Sequence, residues 1–305
     1  MRIAVTGGTG FIGNALVPEL AARGDTVLVF SRTPAMVQRL YPAAQFPAVE
    51  AVGYTPLARG QWAERLSGCE AVVHLAGAPI NGRWSGPYKR AMRDSRWTGT
   101  RVLVDAMRGA ADRPRVLVSM SAARHYGPGE STMDEDTPPP TAPDLLATIT
   151  RGWEAEAQRA AEAGVRTVIL RAGVVLALGD GIRRALPILR RFAGGRVGSG
   201  RQWFSWVHRA DVVAAILRAL DDQTMQGIYN ATAPEPVRMD DFTTQLGDIL
   251  GSRARVPVPG FIIEQFLGDG ATIVLDGQRV VPKRLTEAGF AFRYPTLPDA
   301  LREMF

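Results

Sequence analysis

Of the 305 residues only one is cysteine, Cys69, and three are histidine. A lone thiol cannot close a disulfide within the chain or build a cysteine-based metal cluster. His74, His125 and His208 are spaced too widely for a recognisable metal motif, and His74 falls in a buried-strand pattern, so no metal is expected. Long apolar runs are also missing, with nothing near the ~18 residues a membrane span requires. The opening MRIAVTGG has no apolar core and no cleavage site, and it reads as a strand rather than a signal peptide. A soluble, cytoplasmic protein with no membrane partner is expected. There is no internal repeat, and no GxSxG elbow, which argues against a hydrolase of that type.

Acidic residues are outnumbered, leaving a net charge of +6. Basic excess raises a nucleic-acid reading, and Arg183, Arg184, Arg190, Arg191, Arg196 and Arg201 do crowd one stretch. No nucleic-acid module motif accompanies them. A solvated helix face followed by a loop, or a site for a small anion, accounts for the cluster, and no nucleic-acid partner is expected.

What the chain has in quantity is short apolar runs alternating with helical patterns, the signature of a parallel sheet covered by helices. Strands are predicted at Arg2–Thr6, Thr26–Phe30, Val49–Val52, Ala71–Leu75, Arg115–Ser119 and Arg166–Leu170. Most are rich in Val, Ile and Leu with little alternation, as strands buried on both faces are. Helices are predicted at Ile12–Arg23, near Pro87–Arg108 and near Pro143–Ala163. Beyond residue 172 the pattern changes. Trp203–Val207 reads as an aromatic strand, Ala210–Leu220 as a helix, and Gly227–Asn230 as a strand able to rejoin the sheet; Asp240–Leu250 and Pro259–Leu267 look helical. The fold class expected is α/β, a doubly wound parallel sheet over residues 1–172, with residues 173–305 as a smaller lobe capping its carboxyl edge.

Strand Arg2–Thr6 runs straight into Gly7-Gly8-Thr9-Gly10-Phe11-Ile12-Gly13, and a helix follows. This is the dinucleotide spacing. One glycine makes the tight turn, one lets a pyrophosphate approach the backbone, and the last lets helix pack on strand. The helix N-terminus then presents unpaired N–H groups to phosphate. The second strand ends Val29-Phe30-Ser31-Arg32 without a carboxylate. An acidic residue there would bind ribose hydroxyls. Ser31 and Arg32 instead suit a 2′-phosphate, so NADP(H) is the expected cofactor.

With these residues placed, the chain resembles the extended short-chain dehydrogenases/reductases, and among them the epimerase-family subgroup related to nucleoside-diphosphate-sugar epimerases. The resemblance spans essentially the whole chain. It includes TGGTGFIG, HLAGAPI at His74–Ile80, RDSRWTGTRVLVDAM at Arg93–Met107 and SMSAARHYG at Ser119–Gly127. It continues through RGWE at Arg151–Glu154, LRAGVVL at Leu170–Leu176, WFSWVHRADVV at Trp203–Val213 and GQRVVPKRLTEAGFAFRYPTL. The resemblance implies a Rossmann-type sheet, with Leu75, Ala76 and Gly77 along the adenosine and ribose side. It places Ser119–Ser121 and Ala172, Gly173 and Val174 beside the nicotinamide.

For catalysis the resemblance is incomplete. The family's Tyr-x-x-x-Lys pair is matched by Leu146 and Thr150, and its helix Asn by Arg96. Neither Leu146 nor Thr150 can lower a phenol's pKa or exchange a proton. Ser121 matches the family's serine, and His125 and Tyr126 are the local groups able to move a proton; Glu154 reads as a helix-surface or ion-pair residue. Arg96, Arg201 and Lys283, with Trp203 in the aromatic run, are the candidate contacts for a small, anionic substrate. Two functions stay open at this point: an NADP(H)-dependent oxidoreductase or epimerase, or an NADP(H)-binding sensor or interaction protein. A monomer or homodimer is compatible with either.

Overall fold

A computed structural model describes residues 1–179, 193–252 and 256–305. Arg183, Arg184, Arg190 and Arg191 lie outside the described residues. The first strands and helices follow in order: β1 (Arg2–Thr6), α1 (Gly13–Ala22), β2 (Thr26–Ser31), α2 (Pro34–Leu40), β3 (Val49–Gly53), β4 (Ala71–His74), α3 (Gly86–Arg108) and β5 (Val116–Ala122). They continue with β6 (Gly129–Met133), α4 (Leu145–Glu162), β7 (Arg166–Ala172), β8 (Val174–Leu176), β9 (Trp203–Phe204) and β10 (Trp206–His208). Then come α5 (Arg209–Asp221), β11 (Gly227–Ala231), β12 (Val237–Arg238), α6 (Met239–Ile249), α7 (Gly260–Leu267) and β13 (Gln278–Val280).

Seven strands form one sheet in the order β3-β2-β1-β4-β5-β7-β11, and every pairing in it is parallel. Strand succession reverses at β1, so the crevice beyond the carboxyl ends of β1 and β4 is the switch point where such sheets bind ligands. The near-continuous apolar runs follow from double coverage. Ile3 and Val5 face one core with Leu16 and Val17 of α1 and Val212 and Ile216 of α5. Ala4 and Leu28 face the other, with Leu103 and Met107 of α3 and Ala157 of α4. Each fully buried Val, Leu or Ile contributes about 1.5–3 kcal/mol, so the edge loops rest on a stiff platform. Helix entry is fixed locally: Ser85 accepts from Tyr88 N to cap α3, and Asp144 accepts from Ala147 N at 2.7 Å to cap α4.

A smaller core made by Leu176, Phe204, Trp206, Met239, Leu297 and Leu301 serves the C-terminal part. The chain beyond residue 173 does not stay in that lobe, because Val207, Val212 and Ile216 pack into the sheet's own core and β11 completes the sheet beside β7. Two sequence-derived strands run longer than expected. β5 reaches Ala122 and β7 reaches Ala172, since Ser121 and Arg171 pair in register at their ends. The aromatic run 203–207 is two strands, not one. Ser205 interrupts it by donating its hydroxyl to Gln278 O and accepting from Val280 N. That exchange ties β13 against the site, alongside its parallel pairing with β6. No helix among the described residues is long and apolar enough to cross a membrane.

Candidate functional site

The glycine loop forms a cradle at the end of β1. Gly7 adopts φ +72°, and a Cβ there would stand 2.8 Å from Ala76 N, so the β1 and β4 end loops approach backbone to backbone. A Cβ on Gly13 would sit 2.3 Å from Gly7 O, which is the close helix–strand packing the spacing implied. Gly10 donates its N–H to Gly7 O at 2.9 Å, and a Cβ on it would meet only that oxygen. No side chain caps α1 at Ile12, and although Asn14 N and Ala15 N turn back to Gly10 O and Ile12 O, the helix N-terminus still presents its positive end to an anion. Phe11 turns its ring under the Arg209 guanidinium, 4.9 Å from the ring centroid, while Ile12 packs against the sheet core.

A cavity of about 410 Å³ opens from this cradle, lined by Gly7, Gly10, Ser31, Arg32, Ala76 and Gly77 among others, and among the described residues no carboxylate lines it. Leu75 is also in its wall. Ser31 Oγ closes a short turn, accepting from Thr33 N at 3.1 Å. Arg32 is exposed on the rim, and among the described residues it has no hydrogen-bond or ion-pair partner. A second cavity, of about 280 Å³, lies beyond the ends of β5 and β7. Ala122, Ala172, Gly173 and Val174 form one wall, and Leu146, Phe204 and Met239 help form the others. A Cβ on Gly173 would stand 2.6 Å from Ser205 O, so this wall too needs glycine. Ser119 lines neither cavity: it is fully buried and donates to Met120 O at 3.3 Å.

Behind the second cavity is a buried polar cluster. Arg171 donates to both oxygens of Glu154, from Nε at 2.8 Å and Nη2 at 2.7 Å. Its Nη1 donates to Tyr126 OH at 2.9 Å, and Nη2 lies 2.9 Å from His125 Nε2. Ser121 Oγ donates to Glu154 Oε1 at 2.6 Å, and Tyr126 OH donates to Asn230 Oδ1 at 2.9 Å. Since a guanidinium only donates, His125 accepts at Nε2 and carries its proton on Nδ1, 3.2 Å from Glu154 Oε2 but not aligned as a hydrogen bond. Burial pushes His125 down to about 4, so it is neutral near pH 7. Burial also raises the Tyr126 phenol, against the lowering effect of Arg171. Burial alone would lower Arg171, but its bonds to Glu154 outweigh that and raise it. The three residues expected to handle protons are thus brought together, but their polar atoms other than His125 Nδ1 are hydrogen-bonded within this cluster, and none of the three lines either cavity.

Comparison with known proteins fixes the lineage. The model of the NAD dependent epimerase/dehydratase family matches residues 3–232. The chain belongs to that family. Residues 258–304 of this epimerase-family protein match a domain of unknown function. Epimerase family protein SDR39U1 homolog, chloroplastic, from Arabidopsis thaliana is 41% identical over 306 residues, which cover 99% of this chain and 86% of that protein. An epimerase family protein of Staphylococcus aureus is 31% identical over 303 residues, covering 98% and 97%. The crystal structure of human epimerase family protein SDR39U1 (isoform2) with NADPH matches with TM-score 0.83 and 30% identity, covering 100% of this chain and 99% of that one.

Within this epimerase-family fold the other expected contacts are scattered. Trp203 lines the 280 Å³ cavity, its ring covered by Arg238 at 3.7 Å and Arg279 at 4.8 Å. Arg201 lines a separate, wider cavity of about 860 Å³ with Arg238, Asp240 and Asp276. Lys283 is not at the site: it pairs with Asp136 at 2.6 Å on the surface. Arg96 is mostly enclosed, donating to Ala78 O at 3.0 Å and Met92 O at 3.2 Å and stacking over Trp153; burial lowers it to about 10. Gly77, in the wall of the cradle cavity, lies against it: a Cβ on Gly77 would stand 3.1 Å from Arg96 Nη2. At the family's Tyr and Lys positions, Leu146 lines the smaller cavity and Thr150 bonds back to Leu146 O and Ala147 O.

Sequence reasoning passed over Arg124, which stands in the wall of the 280 Å³ cavity and pairs with Asp144 at 2.9 Å. It also gave no weight to Arg171. A cation near the end of the otherwise apolar run TVILRA was the available signal, because such a charge demands a buried partner.

Proposed function

We propose that this chain is an NADP(H)-binding protein carrying out redox chemistry, as an oxidoreductase or epimerase, on a small molecule held in the cavity beyond β5 and β7. The observation that carries the cofactor assignment is Arg32, which among the described residues has no protein partner and stands on the rim of a cavity that none of their carboxylates lines. The loop amides and the uncapped α1 terminus would hold the pyrophosphate, with Ser31 and Arg32 on the 2′-phosphate. The cradle fits such a group, since side chains on Gly7 or Gly13 would collide with the backbone that shapes it. The NADPH in the human relative's structure supports the same reading. When bound, the nicotinamide supplies hydride exchange. Gly173 and Val174 would lie against its face, while Leu146, Phe204 and Met239 exclude water from the smaller cavity.

A second reading rests on the polar cluster. Ser121, His125 and Tyr126 are held by Glu154, Arg171 and Asn230, which supports slow turnover, or a sensor that binds NADP(H) without fast chemistry. The cofactor assignment is tested by calorimetry on wild type and Arg32→Ala with NADPH and NADH. A charge-assisted contact of ~1.5–3 kcal/mol predicts a roughly ten- to hundredfold loss for NADPH and little change for NADH. Equal losses for both would refute the role of Arg32. Single-turnover NADPH oxidation with a panel of aldehydes and ketones then separates enzyme from sensor: tight NADPH binding with no oxidation favours the sensor.

A further inference from the structure

Sequence alone suggested an anionic substrate, and the walls of the 280 Å³ cavity argue otherwise. Ile80, Leu146, Val175, Phe204, Met239 and Ile273 give it an apolar lining. Its polar groups are mostly engaged. Ser205 bonds to Gln278 O and Val280 N, and the Trp203 indole donates to Glu130 Oε2 at 3.1 Å. Among the described residues Arg124 is the one cation lining the cavity, and Asp144 already neutralises it; Asp276 adds a carboxylate to the lining. An anion entering here would lose hydration without gaining net opposite charge. A sugar ring would leave its hydroxyls unpaired against Leu, Phe and Met. The volume lies at the lower end of ligand cavities, ~300–1,000 Å³.

Arg124 is the exception to the engaged polar wall. Its Nη2 donates to Asp144 at 2.9 Å, but Nη1 makes only long contacts, 3.4 Å to Gln278 Oε1 and 3.5 Å to Asp276 O. Good N–H···O bonds run ~2.7–3.2 Å, so Nη1 is a weakly held donor that a ligand oxygen can take. The aromatic wall is preformed, with Trp203 between Arg238 and Arg279, and Phe204 packed on Phe242 at 4.3 Å.

We infer that this cavity takes an uncharged, apolar carbonyl compound, an aromatic ketone or aldehyde by class, with Arg124 Nη1 donating to its oxygen. The inference rests on the proposed reading of the cavity as the substrate end of an NADP(H) site.

The test is calorimetric titration of the full chain, with and without saturating NADPH, using acetophenone, ethylbenzene, benzoate and UDP-glucose as probes. Acetophenone should bind most tightly, roughly tenfold or more above ethylbenzene, as a hydrogen bond from a charged donor implies. Arg124→Met should abolish that preference and leave ethylbenzene affinity unchanged; Arg124→Lys, which keeps the charge beside Asp144, should restore part of it. Val174→Asp should weaken both neutral probes together. Tighter binding of benzoate or UDP-glucose, equal affinity for ketone and hydrocarbon, or no binding of acetophenone would overturn the inference. If NADPH fails to bind while acetophenone binds as described, the cofactor reading fails and the ligand class stands.

Discussion

The cradle at the ends of β1, β2 and β4 and the polar cluster between β5, β7 and α4 are both rich in polar groups, yet they are built oppositely. In the cradle, Arg32 has no partner among the described residues and no side chain caps the helix terminus beside it. In the cluster, Arg171 alone bonds Glu154 twice, Tyr126 once and His125 once. Polar groups left without protein partners at a strand-end crevice are prepared for a ligand. Polar groups saturated by one another inside a core hold structure. Position at the carboxyl ends of β5 and β7 does not by itself make Ser121, His125 and Tyr126 reactive; what each is bonded to decides.

Removing a charge from each region measures this difference directly. Arg171→Met leaves Glu154 buried without its cation, which should destabilise the fold by about 3–5 kcal/mol. Arg32→Ala leaves no group orphaned and should stay within ~0.5 kcal/mol. Urea unfolding of both variants checks the pair. Similar losses would mean that the exposed arginine has a structural partner or that the cluster is not closed.

Acid probes the saturated region a second way. Burial lowers both His74 and His125 from 6.5 to about 4. His74 is held neutral between the Thr6 and Thr100 hydroxyls, at 2.7 and 2.9 Å. Between those pH values the unfolded chain binds protons that the folded chain refuses, so stability is greatest above pH 6.5 and falls as pH drops toward 4. Each histidine contributes ~1.4 kcal/mol per pH unit inside that window. Burial lowers His208 as well, so unfolding free energies should fall between pH 6.5 and 5.5, where most carboxylates stay ionised, and His125→Gln should remove only part of that fall. A flat response would place these imidazoles in contact with water.

The two regions also differ in how far the sequence revealed them. The cradle was legible because its constraints are local: seven consecutive residues carry the turn, the close approach and the packing contact, and Arg32 follows the next strand. The cluster was not, because Glu154 sits on a helix and Arg171 on a strand, and only the β5–β7 register that sets Ser121 opposite Arg171 brings them together. Lys283 and Arg96 read from sequence as candidate contacts for an anionic substrate. Their partners, Asp136 for one and the Ala78 and Met92 carbonyls for the other, are set by tertiary packing. Ser205 looked like one residue of a continuous strand, and its bonds across to β13 could not be read from an aromatic run.

Ser121→Ala is a mild change and separates the two interpretations of the β5 end most cleanly. Its hydroxyl donates to Glu154 Oε1, an oxygen that also accepts from Arg171 Nε at 2.8 Å. Deleting it leaves Glu154 with its bidentate cation, so no charge is stranded and the cost should be about 1 kcal/mol. If the serine is structural, single-turnover NADPH oxidation on any ketone that reacts should change by no more than about twofold, whereas loss of a positioned proton donor costs ~100-fold or more. A drop of that size with NADPH affinity unchanged would put Ser121 at the reacting oxygen. The Ser121–Glu154 bond would then have to open when substrate enters, and saturation of the cluster would describe only the ligand-free chain.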